Sequence, residues 1–176
     1  RLFNTVGPRQ TGRYGMVIPT FVRQALAGDP ITVFGTGTQS RSFGYVGDVV
    51  WGIAALANEP RAVGDVFNLG NDGEITIREL AELVKTMTAS DSEIVTIPYE
   101  RAYESGFEDM PRRVPDLTKA KNLIGYDPRS RHDIALAAID ALNAIGDPAA
   151  LPHLKRAITK GDIPELRGFK EEFVYQ

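Results

Sequence analysis

Three arginines and one asparagine are the side chains in this sequence best suited to chemistry, and the chemistry they suit is anion binding. Arg41 falls in an extended segment, after a Gly-rich turn and close to the aromatic Phe43. Arg112 and Arg113 close a polar, irregular stretch just before Pro115 and Asp116. A guanidinium held on rigid backbone presents a planar fork of donors that matches a phosphate in bidentate fashion. The same spacing also suits solvated or ion-paired arginines, so spacing alone leaves both readings open. Asn4 stands at a strand end shortly before Gly7-Pro8. Its amide can donate to a ligand at the sheet edge or cap an Asx-type turn. Phe34, at another strand end, can stack on a base or fill the core.

Other chemistries lack their residues. There is no Ser/His/Asp nucleophile-elbow pattern. With no cysteine there are no disulfides, thiolate metal sites or cysteine nucleophiles. His132 and His153 sit in expected helical stretches without spaced partner ligands, so no metal site is expected. Glu171-Glu172 reads as solvated charge in the tail. Gly35-Thr36-Gly37 follows a strand but leads into polar Thr38-Gln39-Ser40-Arg41 rather than a helix. It reads as a tight turn and not as a dinucleotide-cradling loop.

These groups need elements to hold them, and the apolar spacing predicts an α/β alternation. Arg1 to Asn4 reads as a strand end. Val17, Ile18, Phe21, Val22, Ala25 and Leu26 recur at helical spacing, and Gly28-Asp29-Pro30 stops that helix. Ile31 to Phe34 is a short β-rich run, and Arg41 to Val46 a second extended segment. Asp48 is expected to cap a helix from Val49 to Asn58. Asp65 to Leu69 reads as a strand, and Thr76 with Glu79 as a capping box opening the next helix. Glu93 to Ile97 is a strand, and Tyr99 to Arg113 a loop long enough to suggest function. Asp116 caps a short helix over Lys119 to Ile124, and a further helix covers about Arg131 to Ala144. Two regions result: residues 1–145, and a partly helical or loosely ordered tail over 146–176.

Composition bounds the partners. The 176 residues are 43% hydrophobic and 24% charged, with net charge −3, enough for one domain with a substantial core. A general nucleic-acid binder would show a basic excess, so no nucleic-acid partner is expected. No apolar run reaches membrane-spanning length and the first residues do not read as a signal peptide, so no membrane partner is expected either. A reduced cytoplasm fits a cysteine-free chain most easily.

Taken in order, the residues resemble a known family. Arg1-Leu2-Phe3-Asn4-Thr5-Val6-Gly7-Pro8-Arg9 is similar to the "R-x-F-N-x-x-G-P-R" stretch of the extended short-chain dehydrogenase/reductases, the nucleotide-sugar epimerases, dehydratases and decarboxylases. The resemblance continues through Val17-Ile18-Pro19, Gly28-Asp29-Pro30-Ile31-Thr32-Val33-Phe34-Gly35, Gln39-Ser40-Arg41-Ser42-Phe43, Phe67-Asn68-Leu69-Gly70 and Arg113-Val114-Pro115-Asp116. It covers roughly residues 1 to 145. It implies an α/β fold: the C-terminal part of a Rossmann-like enzyme, with a small mixed α/β substrate-binding domain. It also implies a nucleoside-diphosphate sugar as ligand and NAD as cofactor. Asn4, Arg41 and Arg113 would contact the diphosphate, Thr32 and Phe34 would flank the base, and Val17 and Asn68 would lie near the nucleotide. Leu2, Phe3 and Thr5 would pass the nicotinamide.

Two departures shape the expected reaction. In decarboxylases and dehydratases of this kind a basic residue often precedes the "V-I-P" segment, whereas here that place is Met16, with Arg13 the nearest cation. A UDP-glucose 4-epimerase-like reaction is therefore expected ahead of a UDP-glucuronate decarboxylase or dTDP-glucose 4,6-dehydratase. The family's Gly-rich loop and Tyr-x-x-x-Lys pair are also absent: none of the six tyrosines has lysine at +4. The expectation is a substrate-binding half that works with an N-terminal NAD-binding half, dimeric as a whole enzyme and without catalytic residues of its own. A non-catalytic nucleotide-sugar-binding module, or a reductase of another small molecule, stands as the alternative.

Overall fold

Helical periodicity and turn chemistry account for most of the elements in a computed structural model that describes residues 1–7, 10, 16–99 and 110–128. The expected helix over 131–144, both histidines, Arg13 and the 146–176 tail lie outside the described residues. Helix α1 (Val17–Ala27) buries Ile18, Phe21, Val22 and Ala25 along one face. It ends at Gly28, whose φ of 74° is the left-handed conformation that glycine adopts without penalty. Helix α3 (Ile77–Met87) is opened by the expected capping box: Thr76 Oγ1 accepts from the Glu79 amide at 3.1 Å, and the Glu79 carboxylate accepts from the Thr76 amide at 2.9 Å. It turns Leu80, Ala81, Val84 and Met87 onto α1, and these form the larger hydrophobic cluster with Ile31, Val33 and Phe43.

Strand β2 (Ile31–Phe34) pairs in parallel with β6 (Ile94–Ile97), with Phe34 opposite Ile97. Strand β3 (Ser40–Ser42) is the centre of a three-stranded sheet, antiparallel to β5 (Glu74–Thr76) and parallel to β7 (Arg112–Arg113). Strand β1 (Thr5–Val6) pairs in parallel with β4 (Gly44–Tyr45). Helices α2 (Val46–Ala57) and α4 (Thr118–Ile124) enclose a second cluster of Val49, Phe67, Leu69, Leu117, Ala120 and Tyr126. The Tyr126 hydroxyl donates to the Gly70 carbonyl at 2.9 Å and accepts from its amide at 3.2 Å, so this buried ring has no unmet polar group. Trp51 stacks on it, ring centroids 6.3 Å apart. Val50, Trp51 and Ile53 leave α2 with an exposed apolar flank. Among the described residues no helix is long and apolar enough to cross a membrane.

Four sequence expectations are corrected. The opening strand does not occupy Arg1 to Asn4. Leu2 makes a single bridge to Leu69, and Asn4, with φ of 33°, interrupts the extended run before β1. A residue in that region cannot continue a ladder, and asparagine is among the few that tolerate it. The expected strand over Asp65 to Leu69 pairs only at Leu69. Asp48 is not the cap of α2, because the chain passes from β4 straight into the helix and Tyr45 occupies that position. Asp48 lies in the first turn instead, where its charge favours the positive end of the helix dipole. Asp116 is not the cap of α4 either, since Leu117 occupies that position; its carboxylate accepts from the Thr118 amide at 2.9 Å from just outside the helix.

Candidate functional site

The three small sheets and α1 meet around one cavity of about 510 Å³. Its polar lining comes from β1 (Thr5), β2 (Thr32), β3 (Arg41), Asn4 and Gln39, and its apolar wall from Val17, Phe21, Phe34, Phe43 and Met16. A concave, largely apolar site with a few placed polar groups is the form that small-molecule sites take.

Strand alternation decides which arginines face it. The register of β3 and β7 sets Ser40 opposite Arg112 and Arg41 opposite Arg113. Arg112 lies on the face of the sheet that carries Glu74. It bonds the Glu74 carboxylate through Nη2 at 2.9 Å and through Nε at 3.0 and 3.1 Å, and the Ser40 hydroxyl donates to the same carboxylate. On the other face Arg41 and Arg113 are cross-strand neighbours. Like charges directly opposite each other oppose sheet formation, and an anion between them removes that penalty. Arg113 Nη2 donates to Asn4 Oδ1 at 3.3 Å, and its guanidinium lies 5.9 Å from the centre of the Phe3 ring. Asn4 Nδ2 donates to the Ser42 carbonyl at 2.8 Å. The strained asparagine therefore ties β7 to β3 beside the arginine pair. Arg41 Nη1 donates to the Ser40 carbonyl at 2.6 Å, which aims its guanidinium along its own strand.

Ser40 and Arg112 together hold the Glu74 carboxyl below its ordinary pKa of 4.5. A depressed carboxylate pKa stabilises the fold above the ordinary value, and that contribution is lost as pH falls through the folded-state value. The melting-temperature advantage of the protein over Glu74→Gln is thus expected to be full near neutrality and to be lost in acid, as pH falls below the ordinary carboxylate range. A difference that does not change with pH would show that the clasp is not formed.

The structure brings Asn4, Val17, Thr32, Phe34 and Arg41 into the cavity wall, with Arg113 bonded to Asn4. It does not bring Asn68 there: its Nδ2 donates to the Asp116 carbonyl at 3.0 Å, bracing the start of α4. Two residues not singled out from the sequence shape the end of the cavity at Thr32 and Phe34. Gln39 Nε2 donates to the Phe34 carbonyl and to the Tyr99 hydroxyl, both at 2.9 Å. Gln24 holds Thr32 by two bonds, donating to its hydroxyl at 2.8 Å and accepting from its amide at 3.1 Å. Gln39 was open to detection as the neighbour of Ser40-Arg41; Gln24, on a helix face, carried no local signal.

The residues expected to meet NAD are spread out. Thr5 lines the cavity, Phe3 lies against Arg113, and Leu2 is 54% exposed. A dinucleotide needs a glycine-rich strand-to-helix turn for its pyrophosphate. Among the described residues the turn at Gly35 to Gly37 leads into β3 and not into a helix. No group of three or more His, Asp or Glu side chains able to hold a metal occurs among the described residues.

Comparison with solved structures gives the fold class. The chain is similar to a UDP-glucose 4-epimerase from Thermotoga maritima solved with UDP-glucose: 30% identity, TM-score 0.69, 82% of this chain and 45% of that one. An epimerase from Methanothermobacter thermautotrophicus matches at 27% identity and TM-score 0.72, over 83% of this chain and 43% of that one. The fold is the mixed α/β, Rossmann-like one of the short-chain dehydrogenase/reductases. Residues 1–70 match the model of the NAD dependent epimerase/dehydratase family. Over that segment the chain is similar to members of that family. Among curated relatives, UDP-N-acetyl-alpha-D-glucosaminuronate decarboxylase of Bacillus cytotoxicus is 43% identical over 129 residues, 73% of this chain and 40% of the relative. The chain thus spans well under half the length of the relatives it matches.

Proposed function

We propose that this chain holds the nucleoside diphosphate and sugar of a UDP-sugar in an NAD-dependent sugar-nucleotide enzyme, and that the enzyme is a UDP-hexuronate decarboxylase. The in-register pair of Arg41, on the cavity wall, and Arg113, bonded to Asn4 of that wall, carries the first part. Two guanidiniums and an amide suit a diphosphate, and Phe34 beside Thr32 suits a base. The relatives at 42–44% identity carry the second part, since they are named as decarboxylases of UDP-glucuronic acid or a related uronic acid. NAD would supply transient oxidation of the sugar. The residues described here position the substrate, which is the share of catalysis that comes from orientation. The enzyme would be a cytoplasmic homodimer in which residues 1–145 work with a separate NAD-binding half.

The second reading is 4-epimerisation. Met16 favours it, because it places a thioether on the cavity wall where a basic residue is often found in decarboxylases. Calorimetric titration of UDP and UDP-glucuronate tests the binding part. Saturable binding of both is expected, with each competing for the other. No heat of binding from either would overturn the reading. For the protein joined to an NAD-binding half, release of carbon dioxide from UDP-glucuronate supports decarboxylation; a 4-epimer formed without carbon dioxide supports the second reading.

A further inference from the structure

We infer that Thr5 and Gln10 form a hydroxyl-reading end of the cavity and grip the sugar of the bound nucleotide sugar, an inference that rests on the proposed diphosphate site. Both residues line the cavity. Thr5 Oγ1 and Gln10 Oε1 are buried and have no hydrogen-bond partner among the described residues. A buried polar atom without a partner is costly, and such atoms are rare enough in folded proteins that each calls for an explanation. Ser42 Oγ is also unpartnered, but it does not line the cavity. Gln10 is anchored by its backbone amide, which donates to the Gly7 carbonyl at 3.2 Å.

The chemistry of the two atoms selects the ligand group. An amide oxygen only accepts, so whatever meets Gln10 Oε1 must donate. Phosphate and carboxylate oxygens do not donate at neutral pH. A sugar hydroxyl both donates and accepts, and so satisfies Gln10 Oε1 and Thr5 Oγ1 alike. Position agrees with this. Gln39 bonds the Phe34 carbonyl, Arg41 faces Arg113, and Gly44 pairs with Thr5. These five steps of near-continuous extended chain cover roughly 16 Å at about 3.3 Å per residue. They present a base end, a diphosphate middle and a hydroxyl end in the order of the parts of a nucleoside diphosphate sugar.

The test is calorimetry with UDP and with UDP-glucose on the protein and on Thr5→Val, Gln10→Leu and Thr5→Ser. In Thr5→Val and Gln10→Leu, UDP affinity is expected to stay within about twofold while UDP-glucose affinity falls roughly tenfold, and Thr5→Ser is expected to restore the latter. Unchanged UDP-glucose affinity in Thr5→Val and Gln10→Leu would show that this end of the cavity holds only water. Equal losses for UDP and UDP-glucose would show a structural role. Either result overturns the sugar grip and leaves the diphosphate site standing. Absence of UDP binding in the unaltered protein would overturn both.

Discussion

Arg41→Ala is expected to weaken UDP binding by roughly 10- to 200-fold, and Arg113→Ala by a similar factor. A hydrogen bond to a charged group contributes about 1.5–3 kcal/mol, and every 1.4 kcal/mol is tenfold in affinity. The two arginines sit opposite each other on neighbouring strands and, in the proposed function, would act on one diphosphate, so the double variant should lose less than the product of the single losses. Arg41→Lys should recover little, because an ammonium cannot reproduce a planar fork. Thermal stability separates this from a folding defect. Removing one of two like charges relieves repulsion in the empty protein, so the melting temperature is expected to hold or rise. UDP affinity unchanged in both single variants, read by calorimetry, would remove the anion site from the account.

Gly44→Ala is expected to cause the largest loss of stability among small changes near the cavity. A methyl group on Gly44 would stand 2.9 Å from Gly70 Cα, 3.0 Å from its carbonyl carbon and 3.2 Å from the Asn71 nitrogen. All three are backbone atoms, so no side-chain rotation relieves the crowding. Forcing a methyl into such a contact costs about 1–3 kcal/mol. For a chain of this size each kcal/mol moves the melting temperature by about 2–4 °C, so a drop of about 2–12 °C is expected. Gly44 also pairs with Thr5, so the shift should spread to the cavity and lower UDP-glucose affinity. An unchanged melting curve would mean that β4 and the Gly70 segment do not approach as closely as described.

Local signals explain what was legible in the sequence. The periodicity of α1 and α3, the Thr76–Glu79 capping box and the β2 run all depend on neighbours within a few residues, and all were read correctly. The start of α2 was misread because Asp48 carries a strong local preference for a cap, while the run from β4 into the helix is set by tertiary packing. Arg41, Arg113 and Asn4 could be singled out by residue type and family resemblance. The resemblance separates Arg113 from Arg112, but the physical reason for the sorting, Arg112 to an ion pair with Glu74 and Arg113 to the opposite face beside Arg41, is not legible in spacing. It follows from a strand register between positions some seventy residues apart, and a slip of one residue would exchange the two arginines. Gln24 and Gln39 were missed for a related reason: their importance lies in what they hold, Thr32 and Phe34 with Tyr99, and not in their own type.

The stacking of Trp51 on Tyr126 has an optical consequence. Trp51 is the chain's sole tryptophan, and its ring leans on the cluster built from α2 and α4. Its emission therefore reports on that cluster, while the cluster behind the cavity, made by α1, α3 and β2, has no tryptophan to report on it. Far-ultraviolet dichroism sees the helices of both. Following the two signals through one denaturant titration separates a chain that melts as a single cooperative unit from one whose two halves let go in turn.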